Sequence, residues 1–555
     1  NISLTAGVTY DSMTDTPTPY ADGGNYAVLN PLFPAGSSGA APSNANLAVT
    51  VSPSATNAVS SMGMSSGKFY WEYTWTYTAG GLFVGIDSNL TLSATQAAGS
   101  LSTGYGYYNA NGNKYNSGTG TAYGTAWFSS GQTYVIGVAF DATNGTLTYY
   151  LNNVSQGTAF TGIPAGTYYA STSYQSGSGS TTCYFNFGQR PFTYTPPTGF
   201  LPLHTGNLPD AAIVNGSEYF AATTYTGNGG TQSIVNSGGF QPDLVWIKSR
   251  STADSNVFFD SIRGVGRFIR SDATAAENGN SGDLMGAFNS NGVQVNTNLL
   301  GTTNGTTNGS GQPQVGWLWK AGGAAVTNEL GSITSQVSAS PTAGFSVVTY
   351  TGNGTQPSTV GHGLGVAPSM VIVKTRDSAS YDWNSYHVSL GNTQYIALNT
   401  TLAASSAVSL WNNTSPTSTV FSLNHVAVNT PSDTYVAYCF SEVPGYSSFG
   451  SYTGNNVAGG PFVYLGFRAR FLMIKSTTAG TEWVMIDTER SQYNLSDTSL
   501  YANRNYSEAT ITAVNDVDIL SNGFKLRNNT GFVNAAQTYI YMAFAENPFK
   551  NSLAR

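Results

Sequence analysis

The chain has 555 residues, a net charge of −7, only 8% charged residues, 13% aromatic residues and 64 glycines. Ordinary globular chains are about 25% charged and disordered ones lack aromatic residues, so this balance excludes disorder. An acidic chain without a basic run also excludes nucleic acid as a partner. No apolar run approaches the roughly 18 residues of a membrane helix, so membrane insertion is not expected. The length predicts three to five domains, each able to bury a core. The two cysteines, Cys183 and Cys439, fall in different predicted modules and read as buried small hydrophobes, which suits folding in a reducing cytosol. Starting at Asn1 with no Met and no apolar leader, the chain reads as processed or as the carboxy-terminal part of something longer.

Residues 1–44 are rich in Pro, Gly, Ala and Ser around one hydrophobic knot, Tyr26 to Phe33, and are predicted to form an extended arm on the next domain. From Gly67 the pattern changes. Phe69, Trp71, Tyr73, Trp75 and Tyr77 alternate with Tyr70, Glu72, Thr74 and Thr76, a period-2 strand with a heavy aromatic face. Gly81–Asp87 reads as its partner strand. Tyr134–Phe140 and Gly145–Leu151 flank Asn144-Gly145, a strong hairpin signal, and Asn152-Asn153 turns the chain again. The segments Gly67-Lys68-Phe69-Tyr70-Trp71-Glu72, Val84-Gly85-Ile86, Tyr105-Gly106-Tyr107, Ile136–Asp141 and Gly145–Asn152 occur in the order found in SPRY domains. Residues 45–205 thus resemble a SPRY-type sandwich of two antiparallel sheets, ending in a connector stiffened by Pro191, Pro196, Pro197 and Pro202.

Three related segments follow, at 206–340, 341–446 and 447–555. They open on Tyr225-Thr226-Gly227-Asn228-Gly229, Tyr350-Thr351-Gly352-Asn353-Gly354 and Tyr452-Thr453-Gly454-Asn455. An apolar run then ends at Lys248, Lys374 or Lys475, lysines spaced by 126 and 101 residues, the size of small domains. Each run is apolar on both faces, which predicts a strand buried on both sides with its lysine beginning the exposed rim. Gly, Asn, Ser and Thr interrupt almost every helical window. The predicted fold class is all-β, a multi-domain string of antiparallel β-sandwiches with the SPRY/lectin-like sandwich first and three homologous β modules after it.

The whole layout, with its Phe187-Gly188-Gln189-Arg190-Pro191-Phe192 connector and its Ala545-Glu546-Asn547-Pro548-Phe549-Lys550 tail, is similar to tail- and fibre-associated structural proteins of marine and cyanobacterial tailed phages. That resemblance implies a non-enzymatic virion surface component assembled in the host cytoplasm. Its implied partners are other virion proteins and a host-surface glycan or protein, and a homotrimer is expected because fibres are commonly threefold.

Paired carboxylates for glycoside hydrolysis have candidates in Asp260 with Asp254 or Asp283, and in Asp487 with Glu482 or Glu489. Against catalysis, Asp260 and Asp487 occupy equivalent positions, each with an arginine three residues on (Arg263, Arg490), which reads as structural ion pairing. His387 takes that place in the middle segment. The lysines read first as snorkelling ends of buried strands that pair with the nearby Asp260 or Asp487, ahead of binding an anionic sugar or an aldehyde. His204, His362, His387 and His425 show no zinc spacing, and no cofactor or metal is expected. The candidate ligand-binding stretch holds Tyr105, Tyr107, Tyr108, Asn111, Asn113 and Tyr115, flat rings beside amide donors and acceptors as a sugar face requires; the other reading places Tyr105 and Tyr107 in the core. The predicted function is host-surface recognition by a phage adhesin. The alternatives are a purely structural capsid decoration or tail appendage, and a polysaccharide depolymerase.

Overall fold

In the strand Lys68–Thr76, alternation sends Phe69, Trp71, Tyr73 and Trp75 to one face, and all four are fully buried. The computed structural model describes residues 25–31, 40–53, 57–78, 80–89, 97–176, 180–209, 212–279, 284–296, 306–406, 409–478, 480–496, 498–510, 515–529 and 532–545. It divides into two compact units between Asp210 and Ala211.

In the first unit two antiparallel sheets face each other. One places Lys68–Thr76 between Thr181–Asn186 and Thr133–Asp141, with Thr146–Leu151 and Val154–Phe160 beyond. The other runs Asn57–Met64, Tyr168–Ser176, Gly81–Asp87, Gly104–Tyr108, Lys114–Asn116, Thr119–Thr121. Leu82, Val84 and Ile86 meet the aromatic face of the first sheet, and the Tyr73 hydroxyl donates across the core to the carbonyl of Ser171 at 2.9 Å. Gly81–Asp87 is therefore not the partner of Lys68–Thr76: it pairs with Tyr168–Ser176 and Gly104–Tyr108 in the opposite sheet. Both strands present large apolar residues, and the chain between them crosses the core so that those faces bury each other. The Asn152-Asn153 turn joins Leu151 directly opposite Val154, with both asparagines at positive φ (47° and 70°), the geometry of a two-residue hairpin. Outside the sandwich, Ala27 and Leu29 of the arm are buried, the Ala27 amide donating to Leu203 and that of Leu29 to Asn46. Leu32 and Phe33 lie outside the described residues. The proline-containing connector is fixed by buried Glu72, whose carboxylate accepts from the amides of Thr193 (2.8 Å) and Tyr194 (2.9 Å).

The second unit contains three large sheets with the same spatial order. In each, an opening strand (Phe220–Thr226, Phe345–Thr351, Ser447–Thr453) pairs with the closing strand (Pro313–Trp319, Thr434–Phe440, Thr538–Ala545). The closing strand pairs with the lysine strand (Leu244–Ser249, Met370–Thr375, Ala469–Ser476). Beyond lie a third strand (Val257–Asp260, Asn384–His387, Val484–Asp487) and a fourth (Arg267–Arg270, Gln394–Ala397, Thr498–Tyr501). Helix among the described residues is limited to Val426–Asn429 and two 3-10 turns.

These sheets do not form three strung modules. Trp319, Phe440 and Phe544 lie at the ends of the three closing strands, the last residue of the first two and the last but one of the third. Their rings lie 5.8–6.3 Å apart, one from each sheet. Phe220, Phe345, Phe449 and Phe471 pack around them. Each sheet buries one apolar face against the other two, so the segments expected to fold separately meet in a shared aromatic core. The first and the second each keep a further cluster of their own, around Val245, Phe259 and Val293 and around Val348, Val371 and Tyr435.

Candidate functional site

The strand Gly104–Tyr108 divides the aromatic stretch predicted to bind ligand. Tyr105 and Tyr107 point into the sandwich and are 8% and 0% exposed, so they belong to the core and are withdrawn as ligand contacts. Tyr108 points to the other face of its sheet and stacks on Phe83 at 4.5 Å. Tyr115, on the next strand, meets Phe83 edge-on at 5.1 Å and lies 5.8 Å from Tyr108. Tyr108, Tyr115 and Asn113 are half-buried, and Asn111 is exposed. The Asn111 amide nitrogen donates to the Tyr115 hydroxyl at 3.1 Å, while its oxygen accepts the Asn113 amide at 2.9 Å. Two partly open rings on a buried Phe83, with an exposed amide beside them, form a small platform suited to an apolar sugar face.

The charged candidates of the second unit are locked into the joints between sheets. The residue before each third strand reaches the last carbonyl of a fourth strand in the neighbouring sheet. Trp383 donates to Arg270 (2.9 Å), Trp483 to Ala397 (3.0 Å), and the Asn256 amide to Tyr501 (3.1 Å). A backbone bond repeats the pattern, from Glu277 to Arg376 (2.7 Å), Ala404 to Thr477 (2.9 Å) and Glu508 to Arg250 (2.6 Å). First sheet joins second, second joins third, and third joins first, which closes a ring.

Two joints carry buried ions. Asp260 pairs with Arg263 and accepts the Tyr438 hydroxyl at 2.9 Å; Arg263 also binds Glu277 (3.1 Å), which takes Arg376 as well (2.9 Å). Burial by itself would raise the Glu277 carboxyl, but Arg376 and Arg263 hold it at about 2. Asp487 likewise pairs with Arg490 (2.6 Å) and accepts from the Trp317 indole (3.0 Å), and Arg490 binds Glu508 (2.9 Å), which takes Arg250 (2.7 Å). At the third joint the same positions hold His387, Leu390, Ala404 and Thr477, and the His387 ring Nε2 meets the Tyr541 carbonyl at 3.1 Å.

Lys248, Lys374 and Lys475 are 0–1% exposed, so they do not begin a rim. Nor do they pair with Asp260 or Asp487. Lys248 donates to the carbonyls of Ser249 (2.7 Å) and Thr252 (3.2 Å), Lys374 to those of Thr375 (3.0 Å) and Ser378 (3.1 Å), and Lys475 to that of Thr401 (3.0 Å). Lys248 and Lys374 gather the turn that follows their strand, whereas Lys475 reaches back to the second segment as well as to the Thr481 hydroxyl (3.4 Å). Burial pushes all three down to about 8. Glu482 takes Arg504 (3.0 Å), and Glu489 takes Arg470, so the carboxylates considered for hydrolysis are each engaged separately. Asp254 accepts from Thr252, and Asp283 lies outside the described residues. The ring nitrogens of His204, His362 and His425 bond to nearby backbone. Among the described residues no group of His, Cys, Asp and Glu is placed to hold a metal, and both cysteines are free and buried.

Sequence reading missed Glu277, Arg376, Glu508 and Arg250. The available signal was an arginine two residues after two of the three lysines.

A family model described as Domain of unknown function (DUF7483) matches residues 215–548, and the SPRY domain model matches residues 68–190. Among solved structures, the SPRY domain of human HERC1 is 18% identical with a TM-score of 0.22, over 26% of this chain and 91% of that one. The stonustoxin structure is 15% identical with a TM-score of 0.23, over 29% of this chain and only 28% of that one.

Proposed function

This chain belongs to the DUF7483 family and carries a SPRY domain ahead of that region; on that premise we propose that it is a non-enzymatic contact protein of a phage virion surface. In this reading it works as a tail-fibre or adhesin component, and its SPRY sandwich meets a host-surface glycan or protein. The observation that carries the reading is the Phe83–Tyr108–Tyr115 platform with exposed Asn111 beside it. Rings of this kind present flat apolar area at little entropic cost, with an amide to fix orientation. Affinity per site is weak, and many copies on a particle supply avidity. The second unit supports the proposal as a scaffold, since Asp260, Glu277, Asp487, Glu508 and the arginines they bind are engaged at the joints between sheets, and Lys248, Lys374 and Lys475 are buried.

The test is binding of the whole chain to host cells and to their envelope polysaccharide. Tyr108→Ala and Tyr115→Ala are each expected to weaken binding roughly tenfold, about 1.4 kcal/mol, with the melting temperature of the second unit unchanged. Unaltered binding by both variants overturns the platform. New reducing ends released from the polysaccharide overturn the non-enzymatic reading.

A further inference from the structure

The three sheets of the second unit treat their outer edges differently. In each opening strand the glycine that follows it bonds inward to the loop before the closing strand: Gly227 to Gln312 (2.9 Å), Gly352 to Asp433 (2.8 Å) and Gly454 to Gln537 (2.9 Å). Antiparallel alternation then turns the backbone groups of Ala222 and Thr224, Val347 and Thr349, and Phe449 and Ser451 away from the sheet.

In the first sheet Arg470 donates to the Ala222 carbonyl at 3.1 Å, and the Thr224 hydroxyl donates to Glu489 at 3.2 Å. In the second a whole strand covers the edge: Ser335–Ser340 runs antiparallel to Phe345–Thr351, with Ser338 opposite Val347 and Gln336 opposite Thr349. In the third the Phe449 amide donates to the Glu442 carboxylate at 3.1 Å. Beyond it, no group among the described residues meets the outward N–H or C=O of Ser451 or Thr453, and both residues are exposed. Natural edge strands are guarded by charges, prolines or bulges. Ser447-Ser448-Phe449-Gly450-Ser451-Tyr452-Thr453 has no charge and no proline, and its register against the closing strand is unbroken.

The second sheet also supplies a template for an occupant. There Val337 lies opposite Val348, and both are buried. Gly450 holds the place of Val348, and the Tyr541 ring lies across it, its hydroxyl 2.5 Å from where a Cβ would be. A β-branched side chain opposite Gly450 would pack on that ring, as cross-strand neighbours do.

We propose that Ser447–Thr453 is an acceptor edge for an extended, uncharged segment of another polypeptide, seated antiparallel as Ser335–Ser340 is on the second sheet, with a β-branched residue opposite Gly450. Main-chain hydrogen bonds to Ser451 and Thr453 give such a complex its affinity, and alternate side chains give its selectivity. The proposal does not depend on the SPRY platform.

The probe is an end-blocked synthetic peptide of residues 333–341 added to the full chain, read by amide hydrogen exchange. The peptide at about 1 mM, enough for a weak strand-addition complex, is expected to slow exchange at Ser451 and Thr453 roughly tenfold or more while leaving Thr349 unchanged. Ser451→Pro removes the outward amide at a place where an edge strand tolerates proline, and Ser451→Lys adds a guarding charge. Both are expected to abolish the protection while keeping the wild-type melting temperature. Three results overturn the proposal: unchanged exchange with peptide, protection already present in the free chain at low concentration, and protection that rises with chain concentration alone, which assigns the edge to a second copy.

Discussion

At the residue scale, the repeated Tyr-Thr-Gly-Asn words are explained by packing. The hydroxyls of Tyr225, Tyr350 and Tyr452 donate to the carbonyls of Thr307 (2.6 Å), Val428 (2.8 Å) and Val533 (2.6 Å). The amides of Asn228, Asn353 and Asn455 donate to the side-chain oxygens of Asn308, Asn429 and Asn534 at 2.9–3.1 Å. Glycine is required between them because a Cβ on Gly227, Gly352 or Gly454 would lie 2.1–2.2 Å from a backbone oxygen of the facing loop. Gly352→Ala is therefore expected to destabilise the second unit by about 1–3 kcal/mol in denaturant unfolding. The position after the asparagine takes positive φ in every copy: Gly229 and Gly354 sit at +70°, and Asn456 at +56° in the third. In the second copy a Cβ on Gly354 would also lie 2.5 Å from the Pro431 ring, so Gly354→Asn is expected to cost about 1–3 kcal/mol in the same measurement. His387 supplies a pH dependence. Burial lowers it to about 4, partly offset by its bond to Tyr541, against an ordinary value near 6.5. Between these values the unfolded chain binds the extra proton, so stability falls as pH drops from about 6.5 to about 4. His387→Gln is expected to flatten that slope in unfolding measured across the window.

At the element scale, the joints between sheets show what a buried ion pair does. Removing one partner strands the other, so Asp260→Ala is expected to cost about 3–5 kcal/mol in chemical denaturation. The chain itself contains the alternative, since the joint with His387, Leu390, Ala404 and Thr477 keeps the same backbone bond without those ions. Replacing the network together, with Asp260→His, Arg263→Leu, Glu277→Ala and Arg376→Thr, is expected to cost less than Asp260→Ala alone, because no charge is left unpaired.

At the scale of the whole molecule, the second unit is expected to unfold as one cooperative transition. Truncation after Tyr446 removes the third sheet and with it Phe449, Phe471 and Phe544, leaving Trp319 and Phe440 exposed to water. A fragment of residues 211–446 is expected to bind a hydrophobic dye and to show no sharp calorimetric transition, whereas residues 211–548 give a single peak with matching calorimetric and van't Hoff enthalpies.

Period-2 aromatic alternation, paired turn residues and near-absence of helical windows made the all-β class and the SPRY sandwich legible, because they are local: each is set by a residue and its neighbours within a few positions. The Asp-x-x-Arg pairs were legible for the same reason. Sheet membership of Gly81–Asp87, burial of the three lysines, and withdrawal of Tyr105 and Tyr107 from the ligand platform were decided by tertiary structure. Gly81–Asp87 pairs with Tyr168–Ser176, far along the chain, and a lysine after an apolar run reads alike whether water or backbone carbonyls receive its ammonium. Repetition along the chain announced three similar units, but only the meeting of their closing strands, where each alone would leave an aromatic face wet, joined them through a common aromatic core.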